Sequence, residues 1–136
     1  MSRRVDPAVL AAVAVGGAVG GGLRYLISSL GGLPWTTLVI NTVGCALIGV
    51  LMVLLVDRWP DTRLVRPLLG TGVLGGFTTF STYALDVERL LARGQVATAL
   101  GYLVATPVFA LVAVWAAATS TRLVIRLLTR RRASWD

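Results

Sequence analysis

The sequence is organised as four long apolar stretches separated by short polar segments. The stretches cover residues 7–30, 35–56, 68–85 and 96–121. Crossing a bilayer as a helix takes about 20 mostly apolar residues, and each stretch is close to that length. The connections leave no room for a soluble domain. The pattern predicts an all-α membrane protein in which residues 1–136 form a single four-helix domain.

The third stretch does not read as an ordinary spanning helix. Its core is GTGVLGGFTTFSTY (residues 70–83), where the adjacent glycines Gly75 and Gly76 precede a run of hydroxyl side chains. Unpaired backbone groups are costly in hydrocarbon, so irregular backbone survives there where it lines a pore, a cavity or an ion site. Close helix packing through small residues is the alternative, but it repeats every four residues and needs no hydroxyl cluster. We predict a third helix broken at mid-membrane that handles an ion or solute.

Composition narrows the function classes. The chain is 56% hydrophobic and 14% charged, with a mean hydropathy of +0.80 and no histidine. Its lone cysteine, Cys45, is interpreted as a small packing residue. The acidic residues all fall near segment ends or in loops: Asp6, Asp57, Asp61, Asp86, Glu88 and Asp136. The sequence therefore indicates neither an enzyme nor a proton-coupled exporter, which needs an ionisable group embedded in a span.

The basic residues predict an orientation. All 13 are arginines, and the formal net charge is +7. Ten lie on the side of the termini and of the loop after the second stretch: Arg3, Arg4, Arg58, Arg63, Arg66, Arg122, Arg126, Arg130, Arg131 and Arg132. Arg24 lies within the first stretch, and only Arg89 and Arg93 lie on the other side, so both termini are expected in the cytoplasm. The basic tail, residues 122–136, is expected against lipid headgroups. Without aromatic residues interleaved among the arginines, nucleic acid is not an expected partner.

Three polar positions within the stretches have two interpretations each. Arg24 comes shortly after three glycines near the end of the first stretch. It is either an arginine that extends to the membrane interface or part of a vestibule. Asn41 lies inside the second stretch, where its amide either joins two helices or donates to an anion. The hydroxyls of Thr37 and Thr42 are commonly bonded to a carbonyl of their own helix. The alternative for Thr37 is that its hydroxyl lines a polar path.

Phe80 and Tyr83 are three residues apart and share one helical face after the predicted break. Such a pair is often part of a core. Aromatic rings also carry a positive edge, so two ring edges at a cavity stabilise a partly dehydrated anion without a full charge. This feature suits a small, strongly hydrated anion, because a fixed positive charge binds an ion too tightly for release.

Three ordered motifs give the chain a family resemblance over nearly its full length. They are GGGLRY (residues 20–25), TLVINTVGCALIG (residues 37–49) and GTGVLGGFTTFSTY (residues 70–83). In these motifs the chain resembles the Fluc, or CrcB, fluoride channels. The resemblance implies an antiparallel dimer with two fluoride pathways, and a structural sodium ion at the dimer centre held by the backbone carbonyls of Gly75 and Thr78. It also matches Asn41 to the family's pore asparagine, Phe80 to the first of its two pore phenylalanines, and Arg24 to the arginine near the end of its first helix.

The resemblance extends to the fourth stretch and includes two departures. Tyr102 and Thr106 resemble the family's polar track of a tyrosine followed by a serine, although a core aromatic is an alternative for Tyr102. Ala110 stands where a second serine is often found. Tyr83 stands in place of the second pore phenylalanine. Either departure is expected to affect the pathway on that face.

The expected function is passive export of cytoplasmic fluoride that relieves fluoride toxicity. An antiparallel homodimer would need arginines balanced between the two sides, so the observed bias favours a fixed topology and an oppositely oriented homologous partner. Two alternatives stay open. The chain is a non-conducting or half-active subunit of a heterodimeric channel, or, less in keeping with the residues, a small multidrug exporter.

Overall fold

The computed structural model describes residues 6–31, 34–57 and 63–132 and is all-helical there. Its long helices are α1 (Pro7–Leu30), α2 (Trp35–Asp57) and α5 (Val96–Arg132). Between α2 and α5 lie a π-helical segment (Arg66–Leu74), a short α3 (Gly75–Phe77) and α4 (Phe80–Ala92). Among the described residues, α1, α2 and most of α5 are long and apolar enough to cross a membrane. An all-helical membrane protein is thus confirmed.

The third predicted stretch is made of shorter pieces, which is why it gives no helix of spanning length. The Arg66–Leu74 segment contains Pro67 and two glycines, residues that weaken regular α-helical bonding. Thr78 and Thr79 then adopt extended backbone, with ψ of 154° and 126°. The depth of these two residues in a membrane, and the antiparallel dimer, stay predictions.

Glycines set the packing of α1 against this interrupted region. Gly16 and Gly20 are buried at the crossing, where a methyl group added to Gly20 would lie 2.0 Å from the Val73 carbonyl oxygen. Gly72 faces the Gly16 backbone in the same way. Backbones this close leave no space for side chains, so the crossing depends on small residues. This contact fixes where the π-helical segment ends and the extended residues begin.

Helices α2 and α5 form the second packed pair, and α4 folds back on α5. Gly49 of α2 lies against the α5 backbone at Val114. The turn between α4 and α5 takes only residues 93–95, and Gly94 adopts a φ of +71° there. A glycine carries this left-handed conformation without steric cost, so the tight turn sets α4 antiparallel to the start of α5. The outer faces are apolar and exposed, as at Leu26, Val104 and Trp115.

The two ends of the described chain hold several of the charged residues on which the orientation prediction rests. Asp6 caps α1 by accepting from the Ala8 N–H at 2.9 Å, and it pairs with Arg63. Helix α5 continues through the predicted tail as far as Arg132. At about 1.5 Å per residue it is roughly 55 Å long, well beyond a hydrocarbon core of about 30 Å. Outside the described residues lie three of the arginines used above and the end of the tail: Arg3, Arg4, Arg58 and residues 133–136.

Candidate functional site

The site is built around the two extended residues that follow α3. Asn41 of α2 binds the peptide of Thr79 from both sides: its Nδ2 donates to the Thr79 carbonyl at 2.9 Å, and its Oδ1 accepts from the Thr79 N–H at 2.8 Å. Asn41 is buried, and its Oδ1 replaces the helical acceptor that the Thr79 N–H has lost, while its Nδ2 adds a second bond at the Thr79 carbonyl. The interhelical interpretation of Asn41 is therefore present in the structure.

Thr79 starts the next helix with its own side chain. Its hydroxyl oxygen accepts from the Thr82 N–H at 3.1 Å, which is the N-cap arrangement that opens α4. Thr78 donates its hydroxyl to the Leu74 carbonyl at 3.0 Å, and its N–H makes the last helical bond to the same carbonyl. Side chains thus close both helix ends at the interruption.

These bonds release two backbone carbonyls. In a continuous helix, the Gly75 carbonyl would accept from Thr79 and the Thr78 carbonyl from Thr82. The Thr79 N–H instead donates to Asn41, and the Thr82 N–H donates to the Thr79 hydroxyl. The carbonyls of Gly75 and Thr78, which are expected to bind a cation, are therefore among the carbonyls at the interruption that have lost their usual helical donors.

A cavity of about 480 Å³ lies beside the interruption. It gathers most of the predicted pathway residues, and none of its lining residues carries a formal charge: Asn41, Cys45, Gly75, Thr78, Thr79, Phe80, Tyr83, Thr106, Pro107 and Ala110. Arg24, partly buried on α1, does not line it. The cavity wall offers amide, hydroxyl and aromatic groups to whatever enters, without a fixed charge.

The two aromatic residues of the cavity differ in exposure. Phe80 is 80% exposed, whereas Tyr83 is 7% exposed, and their ring centroids are 5.5 Å apart with the planes tilted by 57°. Tyr83 also contacts Tyr102, again at 5.5 Å between centroids. The Tyr83 hydroxyl donates to the Leu103 carbonyl at 2.7 Å. The hydroxyl of Tyr83 is thus bound to the α5 backbone.

Thr37 and Tyr102 lie apart from the cavity lining, around the buried side chain of Asp86. The Thr37 hydroxyl donates to Asp86 Oδ2 at 2.7 Å, and the Tyr102 hydroxyl approaches the same oxygen at 3.4 Å. Arg89 Nη1 is 3.6 Å from the other carboxylate oxygen. These contacts join α2, α4 and α5 through one carboxylate.

Asp86 is a site residue that the sequence reasoning missed. The sequence places it near a segment end, but it lies in the middle of α4 and only 1% of it is exposed. The signal was present: Tyr83, Asp86 and Leu90 follow the spacing of one helical face, and all three are buried. The argument that no acidic side chain is buried in the helices is therefore wrong.

Replacing Asp86 by alanine is expected to destabilise the fold. Thr37 and Tyr102 would lose their acceptor, and one hydrogen bond to a charged group contributes about 1.5–3 kcal/mol. We expect a melting temperature several degrees lower, with a smaller loss for Asp86→Asn, which keeps an acceptor oxygen. Thermal melting of the purified protein in detergent measures both. Glu88→Ala, at an exposed position of the same helix, is the matched control; equal losses at the two positions would contradict this role of Asp86.

Comparisons with known proteins match the sequence of this chain to one family. A family model described as "CrcB-like protein, Camphor Resistance (CrcB)" matches residues 11–118. A relative in Streptomyces coelicolor, named fluoride-specific ion channel FluC 1, is 53% identical over 128 residues, which cover 90% of this chain and 83% of the relative. FluC 2 of Nocardia farcinica is 52% identical over 115 residues, covering 81% and 82%. FluC of Paracoccus denitrificans is 45% identical over 115 residues, covering 81% and 91%.

Proposed function

The chain belongs to the CrcB family, and from this premise we propose that it is a fluoride-selective channel through which fluoride leaves the cytoplasm. Members of the family are ion channels, so the expectation that the chain is not an enzyme is confirmed. Hydrogen fluoride enters cells as a neutral acid and ionises in the less acidic cytoplasm. An inside-negative potential then drives the anion outward through an open pore, without ATP or a coupled ion.

The observation that carries the proposal is the uncharged cavity at the interruption. Asn41, Phe80, Tyr83 and Thr106 come from three helices and line one cavity beside the extended backbone. A channel must replace the water around its ion without holding the ion too tightly, and neutral donors meet both demands. This arrangement supports passage of a small anion, and the names of the relatives point to fluoride.

Individual groups in the cavity have donors to offer. The Asn41 amide has two N–H groups, and the structure assigns one of them to the Thr79 carbonyl. Thr106 also lines the cavity, and only 4% of it is exposed. Its hydroxyl is a further neutral donor, which a small rotation of the side chain would turn toward an entering anion. Phe80 adds a ring edge that needs no desolvation.

Thr37 and Tyr102 are proposed as the continuation of the pathway behind this cavity. Their hydroxyls point to Asp86, which fixes both side chains relative to α4. Arg24, partly buried on α1, is proposed as a vestibule or structural residue. The pathway thus joins α2, α4 and α5.

We further propose a structural sodium ion bound by the carbonyls of Gly75 and Thr78. The residues fit such an ion, because both carbonyls lack their usual helical donors and both residues line the cavity. No group of three or more His, Cys, Asp or Glu side chains suited to a metal occurs among the described residues, so backbone oxygens are the available ligands. A bound cation would supply positive charge where two helix ends meet and join two subunits there.

Exchange of sodium for N-methyl-D-glucamine, a cation too large for the site, is expected to lower the melting temperature of the purified protein by several degrees. The physical reason is linkage, because an ion that binds only the folded assembly stabilises it. Thermal melting and size-exclusion chromatography measure the effect at constant ionic strength. Identical melting in the two salts would remove the support for a sodium site.

The bias of the arginines supports a fixed orientation, with both termini in the cytoplasm, and a dimer formed with an oppositely oriented homologue. The numbered names of the relatives, FluC 1 and FluC 2, agree with paired genes. In such a pair this chain is a non-conducting or half-active subunit, since a partner supplies what Tyr83 and Ala110 change. Reporter fusions to each terminus test the orientation, and termini on both sides of the membrane would exclude a fixed topology.

Growth on fluoride tests the proposed function in cells. A bacterial strain that lacks its own fluoride exporters should grow at raised fluoride when it expresses this chain with a homologue from the same organism. The multidrug exporter makes the opposite prediction, resistance to organic cations without resistance to fluoride. The buried Asp86 removes the sequence argument against an exporter, so membership of the CrcB family now carries that exclusion.

A further inference from the structure

Pro107 lies inside α5 and changes the hydrogen bonding of that helix. Proline has no N–H, so the helical bond from residue 107 to the carbonyl four residues earlier cannot form. That carbonyl belongs to Leu103. A carbonyl released inside an apolar span needs another donor, because no water is available there.

The donor is the hydroxyl of Tyr83, which bonds the Leu103 carbonyl at 2.7 Å. Phenylalanine in the same place would have no group to offer. Tyr83 is 7% exposed, and both Tyr83 and Pro107 line the cavity described above. The tyrosine on α4 and the proline on α5, both at the cavity, therefore act on the same carbonyl, that of Leu103.

We propose that Tyr83 and Pro107 act as a coupled pair that positions the Tyr83 ring for fluoride passage. Pro107 releases the Leu103 carbonyl, and the Tyr83 hydroxyl binds it, which holds the ring at a fixed angle beside Phe80. Because the Tyr83 hydroxyl is bound to the backbone, Tyr83 presents only its ring edge to the cavity.

This inference rests on the proposed function, and it explains why the chain has tyrosine at residue 83. In this account the hydroxyl is neither strain nor an additional fluoride ligand. It is a positioning group that α5 requires as long as residue 107 is proline. Two substitutions that each disturb the pair should therefore compensate each other.

The experiment compares Tyr83→Phe, Pro107→Ala and the double variant in liposomes, with the chain in whichever assembly releases fluoride. Tyr83→Phe leaves the Leu103 carbonyl bare, and we expect fluoride efflux to fall roughly tenfold. Pro107→Ala returns an N–H to α5, so adding it to Tyr83→Phe should recover about fivefold or more of the lost rate. The matched controls are Tyr25→Phe at an exposed position of α1 and Pro7→Ala at its first turn, both expected to be neutral.

Fluoride rates and melting temperatures are measured on the same preparations. Loss of efflux in Tyr83→Phe with recovery in the double variant supports the pair, whereas strictly additive effects overturn it. If the unaltered chain releases no fluoride either alone or with a homologue, the proposed function fails, and the pair is still tested by the melting temperatures. Coupling there would retain the Tyr83–Pro107 pair as a structural feature only and would overturn its role in fluoride passage.

Discussion

Asn41→Ala is expected to reduce fluoride efflux by roughly a hundredfold or more. The substitution removes both hydrogen bonds to the Thr79 peptide and the amide group that lines the cavity. The freed Thr79 N–H would lack a partner in its present conformation, at a cost of about 1–3 kcal/mol. The Thr79 N–H would then be free to return to the Gly75 carbonyl, which closes the interruption.

Efflux from liposomes and thermal melting separate the two parts of this effect. Asn41→Asp keeps an acceptor for the Thr79 N–H but places a negative charge in the cavity. We therefore expect a small decrease in its melting temperature and a large decrease in its rate of fluoride efflux. The control is Thr42→Val, a neighbouring change whose hydroxyl bonds only the Leu38 carbonyl of its own helix, at 2.8 Å. An Asn41→Ala variant with efflux close to that of Thr42→Val would contradict the assignment of Asn41 to the pathway.

Gly20→Ala is expected to prevent correct folding. The added methyl group would lie 2.0 Å from the Val73 carbonyl oxygen and 2.8 Å from the Phe77 nitrogen, and both of these are backbone atoms that cannot turn aside. Overpacking typically costs about 1–3 kcal/mol, and a clash with backbone exceeds that range. Helix α1 would move away from the segment that ends at Phe77, so the extended residues beyond it would lose their placement.

The neighbouring glycines provide a matched control. A methyl group on Gly22 meets nothing within 4 Å, and Gly22→Ala should gain up to about 1 kcal/mol from higher helix propensity. The yield of monodisperse protein in size-exclusion chromatography and the melting temperature distinguish the two variants. If Gly20→Ala folded as well as Gly22→Ala, the close crossing of α1 with the π-helical segment would be excluded.

The helical class of the fold could be predicted from the sequence. Long apolar stretches without alternating polarity can satisfy their backbone hydrogen bonds in a membrane only as helices. The position of the interruption was also open to prediction, since Gly75 and Gly76 precede a cluster of hydroxyls. What replaces the helical bonds there was not, because Asn41 and Thr79 lie 38 residues apart in the sequence. Contacts between distant residues depend on how helices pack, and periodicity within one helix does not contain that information.

Burial of polar groups was the second limit. Asp86 is followed by exposed Glu88 and Arg89, so the local sequence reads as the polar end of a span. The structure turns Asp86 inward and gives it Thr37 of another helix as a donor. From the sequence, Tyr83 likewise looks like a substitution for a pore phenylalanine. The structure shows that its hydroxyl donates to the Leu103 carbonyl. Each reversal follows from one contact between helices.

Fluoride efflux from liposomes is the most direct test of the central claim. The purified chain, alone and together with a homologue from the same organism, is reconstituted and followed with a fluoride electrode, with chloride release as the control. The account predicts rapid fluoride release without chloride release, from at least the mixed preparation; release from the chain alone would show that a homodimer suffices. No fluoride release from either preparation, or equal release of both halides, would contradict the assignment as a fluoride-selective channel.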